Sequence, residues 1–163
     1  MKRIILVFTI LFFGTINAQV KFGINGGFSS MNVSDKYSDL TQGFYAGVFS
    51  EIGIPGLIKL QPALNYVRFK NSSYLQVPVM MKFYFVPKVN IQVGPQFAFN
   101  IDETPKNINK TNFGVGVGLG ADLFSGLLIE ARYAFQLNNA FKSSPSGDKL
   151  HFNIFNVGLG IRL

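Results

Sequence analysis

The chain has 163 residues, a formal net charge of +7, 48% hydrophobic residues and no cysteine. This length suits one domain, and the lack of cysteine excludes disulfides, thiolate metal sites and a lipidated N-terminal cysteine. The Lys and Arg residues form no cluster of the kind that marks a nucleic-acid surface, so we expect no nucleic-acid partner.

The N-terminus has the three parts of a secretory signal peptide. Lys2 and Arg3 precede an apolar run from Ile4 to Phe13, and small Ala18 follows shortly afterwards. Since a membrane-spanning helix needs about 20 apolar residues, this shorter run does not predict a retained anchor. We therefore expect residues 1–18 to be a cleaved signal peptide and residues 19–163 to form an exported domain.

In that domain, apolar residues alternate with polar residues or glycine at period two, which is typical of strands with one greasy face. Eight such segments follow in chain order: Val20 to Ser29, Phe44 to Ile52, Ile58 to Tyr66, Leu75 to Phe85, Val89 to Asn100, Phe113 to Leu123, Leu127 to Gln136, and Phe155 to Leu163. Most have about the 9 to 11 residues that a tilted strand needs to cross a membrane.

The connections differ in length. Every second connection is a tight turn, and these turns are residues 54–56, 86–88 and 124–126. The connections between them are mostly long and polar: residues 33–42, 102–112 and 139–151. Residues 70–73 alternate with the tight turns in the same way but are short. Short turns at one end and long loops at the other are typical of outer-membrane barrels with both termini in the periplasm. The sequence predicts an all-β, eight-stranded antiparallel up-and-down transmembrane β-barrel of OmpA/OmpX-like architecture.

Residues that pair directly across two strands must share a face, which favours a register for each tight turn. The predicted outward pairs are Ile52 with Ile58, Phe85 with Val89, and Leu123 with Leu127. The predicted inward pairs are Glu51 with Lys59, Lys82 with Gln92, Gly118 with Arg132, and Gly120 with Glu130.

The inward face carries a predicted polar network: Lys21, Glu51, Lys59, Lys82, Gln92, Gln96, Asp122, Glu130, Arg132 and Arg162. An eight-stranded barrel is just wide enough for its side chains to fill the interior, which favours a plug of salt bridges over an open ion path. A gated ion path is the alternative interpretation.

The stretch FGVGVGLGADL at residues 113–123 permits two interpretations. Gly116, Gly118 and Ala121 match the spacing of a dinucleotide fingerprint, but no helical pattern follows them. We expect these glycines to face the interior and leave space for Glu130 and Arg132, with Gly158 and Gly160 doing the same on the other flank.

Several segments together resemble the PorT-like outer-membrane β-barrel family. They are KFGINGGFSSMN (21–32), LQPALNY (60–66), YLQVPVMMKFYF (74–85), IQVGPQFAFNI (91–101), FGVGVGLGADL, IEARYAFQL (129–137) and FNVGLGIRL (155–163). The resemblance implies an eight-stranded barrel in the outer membrane of a Gram-negative bacterium and no particular activity. The chain departs from expectation at Leu163, where barrels often end in an aromatic residue, and at Ala63, where an acid is expected.

Arg68 and Lys70 have the parity of lipid-facing residues at the outer end of the third strand. Their stems can lie along lipid while their charged groups contact lipopolysaccharide phosphates, or they are ordinary solvated rim residues. Outer-membrane lipid and lipopolysaccharide are therefore the expected partners, with a possible protein partner at loops 33–42, 102–112 and 139–151.

Weaker chemical signals are also present. His151 lies near Ser143, Ser144 and Ser146, which raises a lipid-A-modifying hydrolase as a lesser alternative, but no nucleophile motif supports it. The acids Asp35, Asp39, Asp102 and Glu103 lack calcium-loop spacing. We expect no cofactor, no metal and no catalytic residue.

A soluble barrel of lipocalin type is the rival fold, and it would bury the aromatic residues that we assign to two membrane-surface girdles. Pro62, Pro78 and Pro95 lie within predicted strands, where each removes a ladder donor, so we expect bulges or ladder breaks there. The sequence predicts a non-enzymatic outer-membrane scaffold or surface-loop interaction protein. The alternative is a narrow pore or an accessory component of transport or secretion.

Overall fold

A computed structural model of the chain describes residues 19–34, 40–54, 58–70, 72–102, 110–124, 126–138 and 151–163. The eight predicted strands are all present: β1 (Gln19–Ser34), β2 (Leu40–Ile54), β3 (Ile58–Phe69), β4 (Ser73–Val86), β5 (Val89–Asn100), β6 (Thr111–Asp122), β7 (Leu127–Gln136) and β8 (His151–Arg162). The predicted signal peptide, residues 1–18, lies outside the described residues.

The strands form one closed antiparallel barrel in chain order. β1 closes the cylinder by pairing with β8, from Gly23 opposite Arg162 to Ser34 opposite His151. Closure gives every strand two neighbours and leaves no sheet edge. The predicted fold class is confirmed. Among the described residues, no helix is long and apolar enough to cross a membrane.

The two faces of the barrel have the predicted chemistry. In β1, Phe22, Ile24 and Phe28 are exposed on the outside, whereas Asn25 and Ser29 are buried in the interior. Aromatic pairs lie on the outside near the long-loop end, such as Phe28 and Phe44, with ring centroids 5.2 Å apart. This is the reverse of a soluble ligand-binding barrel, whose apolar residues would point inward.

Several strands are longer than predicted. β1 continues to Ser34, β2 begins at Leu40, β6 begins at Thr111 and β8 begins at His151, so strand residues extend into each of the loops proposed at 33–42, 102–112 and 139–151. Backbone pairing needs no apolar side chain, so polar residues extend the ladder beyond the alternating pattern. Residues 35–39, 103–109 and 139–150 lie outside the described residues.

The predicted register is confirmed at one turn and in part at another. The Leu123 amide donates to the Leu127 carbonyl at 2.9 Å, and Gly126 takes φ +85°, a conformation that favours glycine. Gly118 lies opposite Arg132, and Gly120 lies opposite Glu130. Lys82 also faces Gln92, although an irregularity between Tyr84 and Val86 pairs Val86, rather than Phe85, with Val89.

The β2–β3 register was predicted wrongly. Ile52 lies opposite Leu60 rather than Ile58, and Lys59 lies opposite Gly53 rather than Glu51. A slip of two residues keeps every side chain on its own face, so an alternating pattern cannot exclude it.

The three in-strand prolines interrupt three consecutive ladders. Pairing skips Ser50/Pro62 and Glu51/Gln61 between β2 and β3, Ala63/Pro78 and Leu64/Val77 between β3 and β4, and Met80/Gly94 and Val79/Pro95 between β4 and β5. The register is the same on both sides of each interruption, so these are ladder breaks and not bulges. We call them the proline breaks.

Candidate functional site

The centre of the barrel interior is an ion cluster built on Lys82. This lysine is fully buried, and its ammonium lies 2.7 Å from Glu51 Oε1 and 2.6 Å from Glu130 Oε1. Inward parity points these three side chains into the interior, and the displacement of β2, β4 and β7 along the barrel brings them to the same level. One buried cation from β4 thus contacts two carboxylates, one from β2 and one from β7.

Arg132 extends the cluster toward β3 and β5. Its guanidinium lies 2.5 Å from Glu130 Oε2, donates to Gln92 Oε1 at 2.8 Å, and donates to Gln61 Oε1 at 3.2 Å. The Gln92 amide in turn donates to Glu130 Oε1 at 2.9 Å. Each charge in this part is therefore held by a charged partner and by neutral amides, as a buried ion pair requires.

Arg162 extends the cluster toward the tight-turn end. Its Nε donates to Glu51 Oε2 at 2.6 Å and its Nη2 to Asp122 Oδ1 at 2.7 Å. Lys59 lies 3.5 Å from Glu51 Oε2 and donates to the Tyr84 hydroxyl at 3.1 Å, with its ammonium 4.6 Å from the ring centroid. The Glu51–Lys59 contact expected from the sequence is present, although it joins diagonal neighbours instead of directly paired residues.

The structure brings eight of the ten predicted network residues together: Glu51, Lys59, Lys82, Gln92, Asp122, Glu130, Arg132 and Arg162. Gln96 is buried nearer the long-loop end, beside a small cavity. Lys21 does not belong to the interior network that was expected from the sequence, because its side chain is exposed. β1 pairs with β8 only from Gly23 onward, so Lys21 lies at the tight-turn opening of the barrel. Sequence reasoning missed Gln61 and Tyr84 as members, although their parity could have identified both.

Apolar layers divide the interior as well, which the sequence analysis did not predict. Phe49, Ala63 and Leu128 form a buried cluster, and Ala63 therefore packs in an apolar layer where an acid was expected. A second cluster lies near the long loops and contains Met31, Tyr45, Val67, Phe69, Tyr74, Ala134 and Ile154. The interior therefore contains apolar layers beside the polar network, because side chains of inward parity fill the barrel whatever their polarity.

The cavity beside Gln96 has a volume of about 20 Å³ and is lined by Met31, Tyr74, Gln136 and their neighbours. A space of this size holds about one water molecule. The described side chains around this cavity therefore leave little free space beside Gln96.

The glycines of β6 provide clearance, each against a different neighbour. A Cβ at Gly118 would lie 2.9 Å from Arg132 Cγ, and one at Gly120 would lie 2.5 Å from Gln92 Nε2. Gly114 is instead close to the Phe135 carbonyl. Because β7 and not a helix follows this stretch, the dinucleotide interpretation is excluded.

The long-loop rim of the barrel carries exposed positive charge. Arg68 and Lys70 are exposed at the end of β3, and Lys110 is exposed just before β6. Arg68 Nη1 donates to Ser73 Oγ at 2.7 Å, and the Tyr66 hydroxyl lies 3.2 Å from the same oxygen. The Ser73 amide donates to Asp102 at 2.6 Å. These contacts hold Arg68 at the rim, beside exposed Lys70.

Other predicted residues fall largely outside the described part of the chain. Asp35, Asp39, Glu103 and the serines near His151 are not described, and His151 is placed only as the first residue of β8. Within the described ranges, no group of three or more His, Cys, Asp or Glu residues is arranged to hold a metal ion.

Comparison with known proteins shows the same architecture. The family described as outer membrane protein beta-barrel domain matches residues 68–142. No curated protein matches the chain. Among solved structures, Neisserial surface protein A is 12% identical with a TM-score of 0.59, covering 89% of this chain and 99% of that one.

Two further solved structures are similar. The Ail attachment invasion locus protein of Yersinia pestis is 14% identical with a TM-score of 0.56, covering 89% of this chain and 99% of that one. A de novo designed transmembrane β-barrel is 12% identical with a TM-score of 0.53, covering 88% and 95%. This chain therefore has the fold of small outer-membrane barrels, and its residues 68–142 are similar in sequence to the outer membrane protein beta-barrel domain.

Proposed function

We propose that this chain is a non-enzymatic outer-membrane barrel with a closed interior, acting as a membrane-embedded scaffold that binds partners at its long-loop end. The observation that carries this proposal is Lys82, fully buried between Glu51 and Glu130 in the middle of the barrel. The exposed apolar wall and the order of segments that resembles the PorT-like family support the membrane location. Cleavage after Ala18 belongs to the same proposal.

The ion cluster favours a scaffold over a pore. The cluster connects six strands across the lumen: β2, β3, β4, β6, β7 and β8. It contains four cations and three carboxylates, which are Lys59, Lys82, Arg132, Arg162, Glu51, Asp122 and Glu130. A permeating ion would have to separate charged partners in low-dielectric surroundings, which is costly, and five of these ion pairs are shorter than 3 Å.

Single-channel recording in planar bilayers tests the closed interior. We expect wild-type protein to give no large, steady currents, and we expect Arg132→Ala to lower stability without opening a wide pore. After the Arg132 guanidinium is removed, Glu130 still contacts Lys82 and the two apolar clusters still fill their parts of the interior. Large, steady currents from the wild type would overturn the scaffold and favour the pore.

The exposed rim of Arg68, Lys70 and Lys110 supports binding of anionic sugars or lipid phosphates, since Arg forms bidentate contacts with phosphate and Lys acts as a point charge. The structurally similar Ail protein has been solved in complex with sucrose octasulfate, a heparin analogue. For this chain we propose lipopolysaccharide phosphates as the ligand of Arg68 and Lys70. A protein partner at loops 33–42, 102–112 and 139–151 stays part of the proposal.

The double variant Arg68→Gln with Lys70→Gln tests this contact. We expect it to retain less lipopolysaccharide than wild type after purification from outer membranes, measured by mass spectrometry of the bound lipid. Lys88→Gln is the matched control, because Lys88 is equally exposed but lies in a turn at the opposite end. Equal retention by all three proteins would remove the lipopolysaccharide proposal.

A further inference from the structure

The proline breaks are confined to one side of the barrel wall. They lie between β2 and β3, between β3 and β4, and between β4 and β5, whereas the ladders from β5 through β8 to β1 and on to β2 run without interruption. Proline has no amide hydrogen, so each break lacks backbone hydrogen bonds that hold neighbouring strands together. This side of the wall is consequently less tightly bonded at mid-height.

An apolar groove lies on the outside of the barrel at the proline break between β2 and β3. Its volume is about 460 Å³, within the range of small-molecule sites, and its walls include Phe22, Ile24, Val48, Pro62, Leu64 and Leu163. The outer residues of this groove belong to the exposed apolar surface of the barrel, so the groove is continuous with the surface that we propose to face lipid.

The floor of the groove reaches residues of the interior. Phe49 and Ala63 line the groove, yet both are buried and belong to the internal cluster with Leu128. Gly23 opposite Phe49 has no side chain, and the Phe49 ring lies directly against it. At this point an external apolar groove and an internal apolar cluster therefore share residues, beside the skipped pairs of Pro62.

We propose that this groove binds one acyl chain of a membrane phospholipid, whose tail contacts Phe49 and Ala63 through the ladder break at Pro62. The inference rests on the proposed membrane location. An acyl chain suits a site whose walls offer almost no polar surface, and the groove opens into the lipid-facing wall at the tight-turn half. Exposed Lys21, adjacent to Phe22, lies at the same end and supplies positive charge for the lipid phosphate.

Fluorescence quenching by brominated phospholipid tests the site, because the chain has no tryptophan and a single introduced one reports alone. β2 provides two matched pairs: inward Phe49 beside outward Val48 at the groove, and inward Tyr45 beside outward Phe44 where the ladder is intact. Each residue is changed to Trp separately, and each protein is inserted into phosphatidylcholine–phosphatidylglycerol vesicles with dibrominated acyl chains.

We expect Phe49→Trp to lose as much fluorescence as Val48→Trp, whereas Tyr45→Trp loses far less than Phe44→Trp. If Phe49→Trp is protected as well as Tyr45→Trp, no tail reaches the floor and the inference is overturned. Quenching that falls as protein is added at fixed lipid would also overturn it, since a second copy of the chain would then cover the groove. If neither Val48→Trp nor Phe44→Trp is quenched, the membrane location itself fails.

Two further measurements test whether the acyl chain reaches Phe49 through the ladder break at Pro62. Pro62→Val restores an amide donor opposite Ser50, so adding it to Phe49→Trp should reduce the quenching toward that of Tyr45→Trp. Unchanged quenching would show that the acyl chain does not reach Phe49 through the ladder break. In wild-type protein, which needs no folding control, a phospholipid with a photoreactive acyl chain should label Phe49 and Ala63. Labelling of outward residues alone contradicts the proposal.

Discussion

Lys82 shows at the scale of one residue how the barrel tolerates buried charge. Its ammonium has carboxylate partners at 2.7 Å and 2.6 Å, and no part of its side chain is exposed. The pair of acids and the base are mutually dependent, because each carboxylate would be costly to bury alone. The ion cluster therefore places at least two cations beside each of its carboxylates.

Replacing Lys82 with Met should destabilise the barrel by about 1–3 kcal/mol, since Glu51 and Glu130 lose their shared cation but keep Arg162 and Arg132 as partners. Equilibrium unfolding in lipid vesicles, followed by circular dichroism, measures the loss. Lys88→Met is the control, because its exposed ammonium donates to the Leu123 carbonyl at 3.5 Å and forms no ion pair with a described residue, and we expect a change within about 0.5 kcal/mol. A similarly small effect of Lys82→Met would contradict a structural role for the cluster.

At the scale of the element, β6 shows that residues of one type in one strand have different neighbours. A Cβ at Gly114 would overlap the backbone carbonyl of Phe135, which cannot move without disturbing the ladder. A Cβ at Gly116 would lie 3.3 Å from Met80 Cε, the end of a flexible side chain. Glycine is therefore more strictly required at Gly114 than two residues later.

Gly114→Ala should cost about 1–3 kcal/mol through overpacking, whereas Gly116→Ala should be close to neutral. The two variants are compared by the same vesicle unfolding assay, and each serves as the control for the other. An equal loss in both would mean that the glycines act through strand propensity and not through clearance.

Across the described part of the molecule, outward apolar side chains cover the barrel wall and the seven charged residues of the ion cluster lie in the interior. Val117 is exposed at the middle of β6, and Leu123 is exposed just beyond its tight-turn end. In a bilayer the first contacts acyl chains and the second lies near the polar interface, so the cost of a charge depends on depth.

Val117→Arg should therefore destabilise the folded barrel in vesicles by about 2–4 kcal/mol, and Leu123→Arg by about 0–1 kcal/mol. Unfolding of both variants under identical lipid conditions gives the difference. Equal and small effects at the two positions would place this wall in water and would refute the membrane location.

The alternating pattern predicts the number of strands, the face of each residue and most members of the ion cluster. Side chains alternate strictly along a strand, so Glu51 and Lys82 have to point inward once Val48 and Met81 point outward. The β2–β3 register, the exposure of Lys21 and the apolar layer around Phe49 become visible in the folded barrel alone. Slips of two residues preserve every face, and whether an inward side chain meets a charge, a ring or the open mouth depends on how far each strand is displaced along its neighbour.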